Sequence, residues 1–340
     1  MSRNPLALLV LPLASLVCGC GGGSSSPPPV ATPALDKVAS VSVGRGTAVD
    51  ASGNVYAVSF QIAANGSSQR VLLKIAPGGA VSAVPLSVIT AGPIAADAAG
   101  NVYVSDSELC HGSSGCSAPA APVQKVAPDG TATPFPVKGS SDGSITSVLE
   151  VSGLAVEAQG NVDISQGVGT VGRLSPAGDL VTIAGVALSP GQEVDGRGKM
   201  ARLSVPAGLA LDAGGNLFVA DTGGDTIRKI APDGTVTTIA GMAFIAGSVD
   251  GPASSATFNA PSAVAVDSSG ALYVADTGNA LIRKIDPSGT VSTLAGTRGM
   301  RGFAPGPLPG VLDPPTSLAL FGKDLYFTMD NAVGVAHNAR

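Results

Sequence analysis

The sequence predicts an all-β fold in which four-stranded antiparallel sheets repeat around a ring, a six-bladed β-propeller. Three observations carry this. The stretch Pro206 to Gly241, PAGLALDAGGNLFVADTGGDTIRKIAPDGTVTTIAG, recurs without a gap 55 residues later as PSAVAVDSSGALYVADTGNALIRKIDPSGTVSTLAG, Pro261 to Gly296. A period in the tens of residues marks one supersecondary unit stacked on copies of itself. Each copy divides into four short apolar or β-branched runs separated by turn residues, with no helical period. The last copy stops one strand short, while the chain before the first copy holds one spare strand.

In the second copy, Ala263 to Val266 is a run of small β-formers, and Asp267-Ser268-Ser269-Gly270 is turn chemistry. Leu272 to Ala275 is the second strand, Thr277-Gly278-Asn279 the second turn and Leu281 to Ile285 the third strand. Asp286-Pro287-Ser288-Gly289 turns the chain into the fourth strand, Thr290 to Leu294. A lone meander of this kind cannot cover both its faces, but a ring of them can. Ala and Val dominate the first strand, which suits the innermost position, where sheets converge.

The Asp-x-x-Gly-Asn turn locates further copies at Asp50, Asp97, Glu157, Asp212 and Asp267, followed by Pro-x-Gly turns at Pro77, Pro128, Pro176, Pro232 and Pro287. A sixth, incomplete copy begins at Ser317. The spare strand, Lys37 to Val43, is expected to pair beside the C-terminal strands and close the ring, which removes the open edge. The blades are then about 44–91, 92–150, 151–205, 206–260, 261–314, and 315–340 completed by 35–43.

Met1 to Val17 reads as an export signal: Arg3, then an apolar run about half the length that spans a bilayer. Val17-Cys18-Gly19-Cys20 resembles the bacterial lipobox, which implies lipidation of Cys20 and a signal ending at residue 19; an ordinary cleaved signal is the alternative. Gly21 rather than Asp after Cys20 implies the periplasmic side of the outer membrane, in a cell that has one. Residues 20–34, rich in Gly, Ser and Pro, form a tether.

The string ADTGNALIRKIDPSGTVSTLAG, with AVDSSGALYVADTGN before it and VDGPASSATFNAP between blades, resembles the NHL repeat. The likeness is near-complete over 206–314 and moderate over 151–205, where Asp163 replaces the expected aromatic. It is weak but in register at 44–150 and 315–340.

Composition restricts function. The formal charge is −5, Trp is absent and aromatics are 4% of residues. A mildly acidic chain with few stacking platforms lacks the features of a nucleic-acid binder. No segment after residue 17 is long and apolar enough to span a bilayer.

Candidate chemistry is sparse. Cys110 and Cys116 bracket CHGSSGC in an insertion of the second blade. In an exported chain they read as a loop disulfide; the other reading, a metal site with His111, lacks a fourth ligand. Asp221/Arg228 and Asp276/Arg283 sit at equal spacing across the second turn. If Gly278-Asn279 is a two-residue hairpin turn, Asp276 and Arg283 fall diagonal on one face, as a structural ion pair or as part of a charged ring. Lys74, Lys125, Arg173, Lys229 and Lys284 share one position, where their stems are expected to cover apolar surface. The connections between blades vary most and share a face with the second-to-third strand turns; they carry Asp195, Asp250, Phe244 and Phe303 as candidate binding-face residues. No nucleophile elbow, phosphate loop or second histidine for zinc appears. The resemblance also brings in an alternative, a lactonase or lyase holding a divalent ion such as calcium on carboxylates in the channel.

The expectation is therefore an exported, lipid-anchored, monomeric propeller without a cofactor, acting as a non-catalytic scaffold for an envelope protein or glycan. Cys20→Ser is expected to move the protein from the membrane to the soluble fraction. Retention of the variant in washed membranes would show that Cys20 is not the anchor.

Overall fold

The computed structural model describes residues 34–40, 43–62, 68–86, 92–105, 122–140, 151–187, 192–329 and 332–339. The lipobox with Cys20, and the Cys110, His111 and Cys116 insertion, lie outside the described residues. Six sheets form the blades of a propeller; in the first five the four main antiparallel strands run in sequence order from inside to outside, and the sixth has three such strands and borrows its fourth from the N-terminus. The inner strands are Val43–Val49, Ile94–Ala96, Val151–Val156, Pro206–Leu211, Pro261–Val266 and Ser317–Phe321.

The sixth blade is completed by the N-terminus. Ala34–Ser40 lies antiparallel to Ala332–His337, with Leu35 opposite Ala336 and Lys37 opposite Gly334. The closing strand thus starts three residues earlier than the sequence suggests, and Val43 already opens the first blade. His337 straddles the closure, its ring nitrogens 3.1 Å from Asp324 and 3.4 Å from Asp36. In blades three to six a two-residue strand extends the outer edge. Gly196–Arg197, Gly251–Pro252 and Gly306–Pro307 pair antiparallel, whereas Gly139–Ser140 pairs parallel.

The turn that marks each repeat has a clear physical basis. Asp50 Oδ1 accepts the amides of Ser52 and Asn54, its Oδ2 accepts the Asn54 side-chain amide at 2.7 Å, and Gly53 takes the left-handed φ of 80° that closes the loop. Tyr56 then donates its hydroxyl to the same carboxylate at 2.9 Å. Asp97 and Asp267 repeat this with Tyr103 and Tyr273.

The apolar core divides among the spaces between blades. One cluster joins Ala263, Tyr273 and Ile282 of the fifth blade to Leu318 and Phe327 of the sixth, with Leu35 of the closing strand wholly buried within it. Others lie between blades four and five, one and two, two and three, and three and four; a sixth sets Val55 and Ile75 against Val333. Toward the axis the inner strands nearly touch. A Cβ on Gly153 would fall 2.2 Å from the Ala207 carbonyl oxygen, and one on Gly208 would fall 2.6 Å from Ala263 Cα. Hydroxyl bridges cross the same seams. Ser165 donates to Ala207, Thr222 to Pro261 and Thr277 to Pro315, all backbone carbonyls of the next blade or its approach.

Leu35→Ala removes a buried side chain shared by the closing strand, the fifth blade and the sixth. It is expected to cost about 2–5 kcal/mol in denaturant unfolding. A loss under about 0.5 kcal/mol would mean that the N-terminal strand does not contribute to closure.

Candidate functional site

The inner strands of all six blades line a central cavity of about 820 Å3. Its wall is made of Gly, Ala, Pro, Ser, Thr and aliphatic side chains, among them Thr47, Ile94, Ser152, Leu209, Ser262 and Leu318. Among the described residues of the wall none is charged or aromatic. Several hydroxyls are already used: Thr222 and Thr277 bridge blades, and Ser262 shares a 2.6 Å hydrogen bond with Thr277. The described wall is therefore neutral, and its hydroxyls are tied down. Among the described residues the wall holds no carboxylate, and no group of three or more His, Cys, Asp or Glu forms a metal site.

The sequence-derived ion pairs occupy the rim. In the fifth blade Asp276 Oδ2 is 2.9 Å from Arg283 Nη1, and both side chains are fully buried. The connection between the second and third strands, Leu272–Asp276 and Leu281–Ile285, has four residues, a 3-10 turn at Thr277–Asn279 followed by Ala280 at φ 54°, so the two-residue turn expected from sequence is not formed. Because Asp276 opposes Leu281 and Val274 opposes Arg283, the diagonal placement still holds. Arg283 also donates to the carbonyls of Thr257 and Val249 and to Asp250, and its guanidinium lies over the Phe258 ring at 5.3 Å. Burial pushes the Asp276 carboxyl up, against the Asn279 and Asn259 hydrogen bonds and the Arg283 charge that hold it down.

The fourth blade repeats this with looser contacts. Arg228 is 3.7 Å from Asp221, 3.7 Å from Glu193 and 2.7 Å from Asp195. Asp221 instead accepts the amides of Ser204 and Val205. Two of the loop acids expected on the binding face, Asp195 and Asp250, are thus partners of these arginines and also bind Thr238 and Thr293 of the fourth strands. Of the two loop aromatics, Phe303 leans on the core between blades five and six. Phe244 is half-exposed and adopts φ 60°, a left-handed conformation unusual for a bulky residue. Its amide donates to Gly224, two residues from the cavity residue Thr222. Met242, Ile245, Val249 and Met300 are exposed in the same class of connection, and Val205 is both exposed and part of the cavity wall. Leu203 and Phe258, at matching points of two connections, are buried.

The recurrent cations sit opposite the second-strand aromatics. Lys74, Lys125 and Lys284 place their ammonium groups 5.8, 5.6 and 5.3 Å from the centroids of Tyr56, Tyr103 and Tyr273. In the third blade both members change. Asp163 stands in the aromatic position, Arg173 binds it with 2.8 and 3.1 Å hydrogen bonds, and the turn acid Glu157 completes the group. Sequence reading missed Glu193. The signal was available, because the next copy has Ser248 there.

Residues 258–285 match the family model of the NHL repeat. The chain carries an NHL repeat on a six-bladed β-propeller. The protein SUPPRESSOR OF QUENCHING 1, chloroplastic, of Arabidopsis thaliana is 37% identical over 93 residues, 27% of this chain and 9% of that protein's length. Among solved structures, a Bacteroides thetaiotaomicron protein of unknown function aligns with TM-score 0.67 at 19% identity, covering 90% of this chain and 76% of that one. An auxiliary nutrient binding protein from the same species gives 0.64 at 13%, covering 87% and 69%. A Xanthomonas campestris gluconolactonase gives 0.59 at 16%, covering 94% and 98%. At these identities the likeness to the solved structures is one of fold.

Arg283→Met would strand the buried Asp276 carboxylate and is expected to cost about 3–5 kcal/mol in urea unfolding. Asp250→Asn, at a half-exposed partner of the same arginine, is expected to cost under about 1 kcal/mol. Equal costs would contradict the buried pair as the dominant element.

Proposed function

We propose that this protein is an exported, lipid-anchored binding scaffold whose ligand, an envelope protein or a glycan, seats at the mouth of the central cavity. The observation that carries this reading is the make-up of that mouth. A wall drawn from all six inner strands, uncharged among the described residues, meets connections that expose Met242, Phe244, Ile245 and Val205. Cavities of this size, with apolar walls and a few placed polar groups, are ordinary binding sites, and variable loops on a rigid frame are where recognition concentrates. The strained backbone at Phe244 fits a side chain held out for contact. Likeness to an auxiliary nutrient binding protein supports binding. The lactonase alternative draws on likeness to a gluconolactonase, but it needs carboxylates where the described wall has none.

The test compares the mature protein with a Phe244→Ala/Ile245→Ala variant on a glycan array and against fractionated envelope proteins. At least one neutral glycan or envelope protein should bind the wild type and bind the variant about tenfold more weakly, roughly 1.4 kcal/mol. Calcium-dependent hydrolysis of simple lactones by the wild type would replace the scaffold reading with the enzymatic one.

A further inference from the structure

The fourth and fifth blades solve one problem in two ways. In the fifth, the buried Asp276 receives a hydrogen bond from the side-chain amide of Asn279 at 2.8 Å. The corresponding residue of the fourth blade is Gly224, which has no side chain to give. A Cβ there would fall 1.5 Å from Glu193 Oε1, so the Glu193 carboxyl fills the space that Asn279 fills next door. Glu193 Oε1 accepts the Thr226 hydroxyl at 2.7 Å, while Oε2 is buried and receives no donor from the protein. Glu193 Oε2 and Asp221 Oδ2 each lie 3.7 Å from the same Arg228 Nη1, which places the two carboxyls side by side. Asn279 brings an N–H to its aspartate; a glutamate in that place brings a donor only when it carries a proton.

We propose that Glu193 and Asp221 form a proton-binding carboxyl pair, in which a protonated Glu193 donates its O–H to Asp221 and so stands in for the asparagine of the neighbouring blade. The surrounding charges favour retention of that proton. Arg228 from the third strand is 3.7 Å from both carboxyls and already bonds Asp195 of the connection at 2.7 Å. Asp225 of the turn adds negative charge and accepts the Ala260 amide. Arg202 of the connection turns its guanidinium to the carbonyls of Lys199 and Ala201. With both members ionised, Glu193, Asp195 and Asp221 would crowd one arginine, two of them in a buried setting where like charges repel strongly. Burial first, and then the Asp221 charge, push the Glu193 carboxyl up to about 7 from its ordinary 4.5.

The sign follows from proton counting. Between the ordinary value and the raised one, the folded protein holds a proton that the unfolded chain has released, so stability is lost as pH rises through this window. The loss falls at the rim, because Asp221 anchors the amides of Ser204 and Val205, and Val205 is part of the cavity wall.

The test follows melting temperature from pH 5 to 8 in the full mature chain. Glu193→Gln, a permanent donor of the same shape, should remove the dependence. Relative to this variant the wild type should fall by on the order of 5 °C as pH rises. Parallel curves overturn the proposal. Carbon-13 NMR of the wild type, with Glu193→Gln used only to assign the signal, should place the Glu193 carboxyl midpoint near neutrality. A midpoint in the ordinary glutamate range also overturns it. Ser204 and Val205 amides should lose exchange protection over this window in the wild type and keep it in the variant; equal protection overturns the link to the rim.

Discussion

Burial between sheets is the constraint on which the rest of the structure depends. No blade has a core of its own: each apolar cluster draws its members from two neighbouring blades. A single four-stranded meander would leave Tyr273, Ile282 and Ala295 in water on one face, and only the sixth blade covers them. The closing strand follows from the same need, since without Leu35 the last blade would show an open edge and an unfilled core. The cavity is the other consequence. Inner strands close enough to require glycine at 153 and 208 bring the blades together around the channel, whose described wall is uncharged.

Polar groups buried in such a ring must be matched locally, and the repeats show several ways of matching them. The acid of the first turn is tied to its own loop and to a tyrosine hydroxyl in three blades. Where that tyrosine is absent and Asp163 takes its place, an arginine replaces the usual lysine and the acid of the turn joins it. A cation over a ring and a bidentate arginine–carboxylate contact are different interactions with one geometric role, since both fasten the second strand to the third across a single register position.

The rim arginines organise the connections. Arg283 and Arg228 each reach from the third strand to backbone carbonyls and an aspartate of the connection that enters their own blade. A long connection with few apolar anchors would otherwise have little to hold it. Phe258 supplies an apolar anchor that the Arg283 guanidinium covers, and Leu203 is buried at the matching point of the connection before the fourth blade. What these clamps leave outside, Phe244 and its exposed neighbours, is the surface available for contact, and it is held against the turn that lines the cavity mouth.

The repeat, its four strands, its turns and the need for a closing strand were all legible in the chain, because each rests on local chemistry: Asp and Gly where a turn needs them, alternating apolar residues where a strand is half covered. The diagonal Asp276–Arg283 pair was legible for the same reason, since strand register alone places it, whatever the turn between. Three things needed the folded ring. The start of the closing strand at Ala34 is set by pairing with Ala332–His337, some three hundred residues away, and no local pattern encodes it. Asp195 and Asp250 read as free loop acids until the fold brought them to the arginines. Glu193 matters because Gly224 leaves a hole beside a buried aspartate, and a hole is a property of packing in three dimensions.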